Sequence, residues 1–162
     1  MNNTTIVSRY LESKNIPHRV FRHSGPIHSL EQAASERGQT PDQVVRSIVF
    51  RIGREDYVMV LVAGPDQVSW PALRKYLGLS RLTMASKEEV FQVTGYETGA
   101  VSPFGLPAPM RTLVDEAVFT PAEISIGSGE RGTTIILTRQ AMLNALGAVE
   151  IGQLTTQEQS PG

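Results

Sequence analysis

Cysteine is absent from this 162-residue chain, which excludes disulfides, thiolate nucleophiles and cysteine-bound zinc. An excess of one charge is missing too, since 15 basic and 16 acidic residues leave a net charge of -1. Holding nucleic acid through bulk electrostatics requires surplus cations to neutralise phosphates, so any such contact should be local, with one end of a strand. No apolar run reaches membrane-spanning length, and the polar start Met1–Thr5 does not read as a signal peptide. A soluble, cytoplasmic protein without a membrane partner is the simplest expectation. There is also no Walker-type phosphate loop, serine-hydrolase elbow, dinucleotide fingerprint or HExxH element. His18, His23 and His28 match no zinc spacing. No metal or cofactor is therefore expected, and the histidines read as solvated loop or strand-edge residues.

What the chain does have is 40% hydrophobic content and the length of one domain. Ile6, Val7, Tyr10 and Leu11 mark one face of a first helix, followed by a short strand between His18 and His23. Ser29 with Gln32 and Thr40 with Gln43 read as two capped helix starts. Two β-branched runs, Val44 to Ile52 and Tyr57 to Ala63, flank a Gly53–Asp56 turn and predict an antiparallel hairpin. Capped helices over Ser69–Leu77 and Ser86–Gly95 follow, with a short strand, Leu82–Ala85, between them. A strand near Thr112–Asp115, a second hairpin around Gly127–Gly132 and a helix over Gln140–Leu146 complete the pattern. Hairpins interleaved with helices, without a βαβ repeat, predict one compact α+β domain with a mixed sheet. Its expected span is 1–152, with a polar, flexible tail over 153–162.

The densest cluster of special residues is Gly95-Tyr96-Glu97-Thr98-Gly99-Ala100-Val101-Ser102-Pro103-Phe104-Gly105. Glycines permit close backbone approach, so such a loop can turn free amides toward a bound oxygen; it can equally be an ordinary surface loop. Alternation along Val44–Ile52 puts Val44, Arg46, Ile48 and Phe50 on one strand face. Arg46 then either meets an anion in a cleft or carries its charge into water at the strand's exposed start. Its guanidinium offers only donors, so clamping an anion or stabilising a developing one are its possible roles. Asp115 is either a buried acceptor or a polar site residue.

Several of these segments, in order, resemble the YbaK/ProX family, relatives of the editing domain of bacterial prolyl-tRNA synthetase. They are Val44–Phe50, Gly78–Ala85, Thr94–Gly105, Asp115 and Gly129–Gly132. The resemblance implies an α+β domain whose mixed sheet is partly barrel-like and surrounded by helices. It implies hydrolysis of a wrong amino acid from tRNA in trans. Gly99–Pro103 fits the family's GxxxP element, which sits at the aminoacyl ester. Arg46, Gly99 and Ser102 are thereby implied in catalysis. Ser47, Ala100, Val101, Pro103, Asp115 and Gly129 are implied in substrate contact. The implied partners are the acceptor end of an aminoacyl-tRNA and a prolyl-tRNA synthetase. One departure stands out: Arg46-Ser47 occupies the pair where the family usually has lysine and threonine. Arginine keeps the charge and suits phosphate, but it cannot relay a proton.

An aminoacyl ester is already reactive, so positioned water and a stabilised oxyanion suffice for its hydrolysis. The missing triad is consistent with that chemistry. Two rivals remain: a binding module of the same fold that has lost hydrolysis, and a small-ester hydrolase that does not use tRNA.

Overall fold

Val58–Ala63 is an unbroken apolar run, and such a strand must be covered on both faces. In the computed structural model, which describes residues 5–156, this run lies in β3 (Asp56–Ala63) and is buried throughout. Met59, Leu61 and Ala63 face the larger core, whereas Val58, Val60 and Val62 face a smaller one. β2 (Val45–Gly53) pairs antiparallel on one side of β3, as the hairpin pattern predicts. β5 (Arg111–Asp115) pairs parallel on the other. The short β4 (Thr83–Met84) and β8 (Glu150–Gly152) form the edges of this five-stranded mixed sheet.

A second sheet is three-stranded and antiparallel: β1 (Arg19–Arg22), β7 (Thr133–Thr138) and β6 (Glu123–Gly127). Ile124, Ile126, Ile135 and Leu137 join Val45, Val49, Met59 and Leu61 in the larger core. The sheets touch edge to edge where Val44 bridges Ser125 in parallel, so the strands curl together without forming one closed barrel. The larger core also receives Val7 and Leu11 from α1 (Ile6–Ser13), Val90 from α4 (Lys87–Thr94), and Ala141 and Met142 from α5 (Arg139–Leu146). The smaller core is closed by α3 (Trp70–Leu77) through Leu73 and Trp70, whose ring meets Phe50 edge-on at 5.2 Å. This is the single α+β domain that the pattern predicted.

Two local signals resolve differently from their sequence pattern. α2 (Leu30–Glu36) is capped by Ser29, whose hydroxyl accepts from the Gln32 amide at 3.0 Å. The Gln32 carboxamide then reaches past Ser29 to the His28 amide, at 2.8 Å. The Thr40 signal yields only a single 3-10 turn over Pro41–Gln43, because Val44 is already extended and paired with Ser125.

Beyond β8, Leu154 is buried and its carbonyl accepts from the Ser69 amide at 2.7 Å. Asp115 organises this end of the chain. Its carboxylate accepts from the amides of Leu154 (2.8 Å) and Ala117 (3.1 Å) and from the Thr155 hydroxyl (3.2 Å). Positions 157–162 of the expected tail lie outside the described residues. Removing the Asp115 acceptor leaves buried donors unpaired. Asp115→Ala should therefore lower unfolding free energy by about 1–3 kcal/mol, read by chemical denaturation. A variant as stable as the parent would contradict this role.

Candidate functional site

Beside the Val44–Ser125 bridge lies a cavity of about 450 Å³. Its walls come from the start of β2, the end of β6, the Gly99–Val101 segment, α2 and the first residues of β7. Arg46, Ser47, Gly99 and Val101 of the sequence-derived set line it together. Ala100, Ser102, Pro103, Asp115 and Gly129 are not among its lining residues.

The loop's position follows from two close approaches. A Cβ on Gly127 would sit 2.1 Å from the Val101 carbonyl oxygen, so the loop backbone rests directly on β6. A Cβ on Gly129 would meet the Tyr96 ring at 2.9 Å. Tyr96 is buried beneath the loop, and its hydroxyl donates to the Phe104 carbonyl. The Ala100 amide donates to Glu97 and its carbonyl accepts from Gly129, both at 3.0 Å. From the second hairpin, Arg131 reaches the Thr98 carbonyl at 3.1 Å. Ser102 is buried, and its hydroxyl accepts from the Phe104 amide at 3.2 Å. Gly99 has φ +95, a conformation that side chains disfavour. Among the described residues, the amides of Gly99, Val101 and Ser102 donate to nothing.

Arg46 lies at the cavity wall, but its guanidinium is engaged elsewhere. Nε donates to the Gly64 carbonyl at 2.7 Å, and Nη2 donates to the Asp66 carbonyl. Burial lowers its pKa from the usual arginine value, and the Asp66 charge acts in the opposite direction. Its neighbour Ser47 points to the opposite face of β2. The hydroxyls of Ser47 and Ser125 are both buried without a hydrogen-bond partner among the described residues, and both residues line the cavity. Such orphaned groups are uncommon in folded proteins and invite a ligand as explanation.

The histidine expectation requires correction. The His23 side chain is only 1% exposed and lines the cavity. Its Nδ1 lies 2.7 Å from Glu36 Oε1, and its Nε2 lies 3.0 Å from Arg37 Nη1. His18 is held between the Ser8 hydroxyl (2.7 Å) and the Ile16 carbonyl (2.8 Å). Only His28 is exposed as expected. Nothing in the local sequence marked His23, Arg37 or Ser125. They meet because α2 folds back over the second sheet.

Residues 24–145 match the family model for the aminoacyl-tRNA editing domain. The chain belongs to that family. Relatives include the proline–tRNA ligase of Trichlorobacter lovleyi, 30% identical over 108 residues, or 67% of this chain and 19% of that protein. The corresponding ligase of Streptococcus uberis is 32% identical over 64% of this chain and 17% of its own length. The chain thus spans about a fifth of the curated relatives it matches. A protein proposed as a trans-editing enzyme for prolyl-tRNA synthetase superposes with TM-score 0.85, 24% identical, covering 94% of this chain and 96% of that one. A scaffold used for computational epitope grafting superposes with TM-score 0.84 at 23% identity. Both structures show the shared fold, and the YbaK/ProX resemblance read from the sequence stands.

Tyr96 offers a test of the editing-domain loop. Burial pushes its pKa up to about 12, while an unfolded tyrosine loses its proton near pH ~10. The unfolded state alone ionises between these values, so the associated stability is intact below pH ~10 and is lost as pH rises toward 12. Alkaline denaturation should accordingly be shallower in Tyr96→Phe. Identical alkaline profiles would contradict the buried hydroxyl.

Proposed function

We propose that the protein is a trans-acting aminoacyl-tRNA deacylase, removing a small amino acid mischarged onto a tRNA-Pro-like acceptor. One observation carries this reading: donors from three segments, unpaired among the described residues, border a single cavity. They are the amides of Gly99 and Val101 and the hydroxyls of Ser47 and Ser125. Membership in the editing family supplies the substrate class. Likeness to a protein proposed to edit in trans supports action apart from a synthetase.

In this mechanism the ester carbonyl lies against the Gly99–Val101 backbone, and the Gly99 and Val101 amides stabilise the oxyanion as water attacks. The ribose hydroxyl beside the ester orients that water, and Ser47 holds the hydroxyl. Ala100, Pro103 and Gly129 shape the loop behind this wall. Arg46 retains Nη1 for the substrate while Gly64 and Asp66 hold the rest of its guanidinium. Specificity comes from volume. A methylene more or less changes selection by only about 1–3 kcal/mol, but a cramped wall can exclude the bulkier correct residue. Cytoplasmic action and recruitment by a prolyl-tRNA synthetase belong to the same proposal.

The engagement of Arg46 with backbone carbonyls also favours a second reading, a binding module that keeps the cavity without turnover. A panel of mischarged tRNAs decides between the two. Release of a small amino acid above the no-enzyme rate supports hydrolysis, whereas binding without release supports the module. Ser125→Ala sharpens the test. Removing an unpaired buried hydroxyl should leave stability equal or higher, while deacylation falls about tenfold, as for the loss of one neutral hydrogen bond. Reduced stability with unchanged turnover would place Ser125 outside the site.

A further inference from the structure

Among the described residues, the cavity lining contains two arginines, Arg37 and Arg46, and no carboxylate, in a protein whose net charge is -1. That concentration of positive charge in a concave wall selects an anion. Arg46 has two of its nitrogens bound to backbone carbonyls. Arg37 is differently placed. It follows the last turn of α2, and no ion pair among the described residues includes it. Its Nη1 donates to His23 Nε2, and its Nε donates to Gln39 Oε1 at 3.4 Å. No acceptor among the described residues takes up Nη2.

The imidazole explains why this guanidinium points where it does. A guanidinium can only donate, so His23 Nε2 accepts and the ring proton sits on Nδ1, directed at Glu36. The second Glu36 oxygen accepts from Gln32 Nε2 at 2.8 Å. Both carboxylate oxygens are thus occupied away from Arg37, and the group that does hold Arg37 is an uncharged ring. The arrangement fixes the guanidinium without neutralising it. Burial lowers the Arg37 pKa from its usual value, with Glu36 opposing, as expected for a cation short of solvent and of a counter-charge.

We infer that Arg37, aimed by the Glu36–His23 relay, is the phosphate-binding cation of this cavity. Its ligand is a nucleoside 5′-phosphate ester, gripped by the outer Nη1 and Nη2 hydrogens as a fork. This rests on the deacylase reading only for the identity of the phosphate, which there belongs to the terminal nucleoside of the acceptor end. His23 and Glu36 act as positioning residues and touch no substrate.

The test uses the full chain and two probes, adenosine 5′-monophosphate and adenosine, titrated by calorimetry. The monophosphate should bind the parent about tenfold more tightly, the scale of one charge-assisted contact. Arg37→Ala should erase that preference, and Arg37→Lys should restore part of it. His23→Ala, which retains the cation but frees it, should reduce the preference several-fold. With mischarged tRNA, Arg37→Ala should raise KM more than it lowers kcat. It should also flatten the slope of log affinity against log salt by about 0.7. Equal binding of both probes by the parent, or a preference that survives in a folded Arg37→Ala, overturns the inference. If Arg37→Ala does not fold, Arg37→Lys and His23→Ala decide, and parent-like preference in His23→Ala overturns the relay. A preference dependent on Arg37 without hydrolysis of any charged tRNA would uphold the anion site and remove the deacylase reading. Hydrolysis indifferent to Arg37 would do the reverse.

Discussion

Everything at the candidate site depends on one backbone contact, the bridge between Val44 and Ser125. Two sheets with different strand orders meet there edge to edge. Around that contact lie Ser47 and Ser125 on one cavity, the wall formed by the end of β6, and the seat at Gly127 on which the glycine-rich loop rests. The loop has little freedom of its own. The buried Tyr96 ring beneath Gly129 and the close approach at Gly127 leave it one resting place.

The energetics of the cavity run against its stability. Among the described residues, two buried hydroxyls lack partners, several loop amides lack acceptors, and a half-buried guanidinium lacks a counter-ion. Each such group is destabilising in isolation. Their convergence on one cavity is what distinguishes a prepared site from a packing defect. Asp115 shows the contrast. It was expected as either acceptor or site residue, and its oxygens are taken up by the chain's own donors.

Most secondary structure was legible because it rests on short-range physics. The Ser29, Ser69 and Ser86 caps, the Gly53–Asp56 turn and the alternation along β2 act within a few residues. Where the pattern failed, a tertiary partner intervened. The Thr40 signal was cut short because Val44 joined Ser125, and β8 escaped notice because three residues carry too little periodicity to stand out from a loop.

Composition limits, the α+β class and the family resemblance were readable along the chain, and that resemblance implied the grouping of Gly99 with Arg46 and Ser47. Those are properties of local pattern and of ordered motifs. Only the tertiary structure turned the Arg46 guanidinium toward Gly64 and Asp66, buried His23 against Glu36, and brought Arg37 and Ser125 to the same wall. Hydrogen-bond direction and charge pairing are decided by neighbours distant in the chain, and no local periodicity encodes which neighbour arrives.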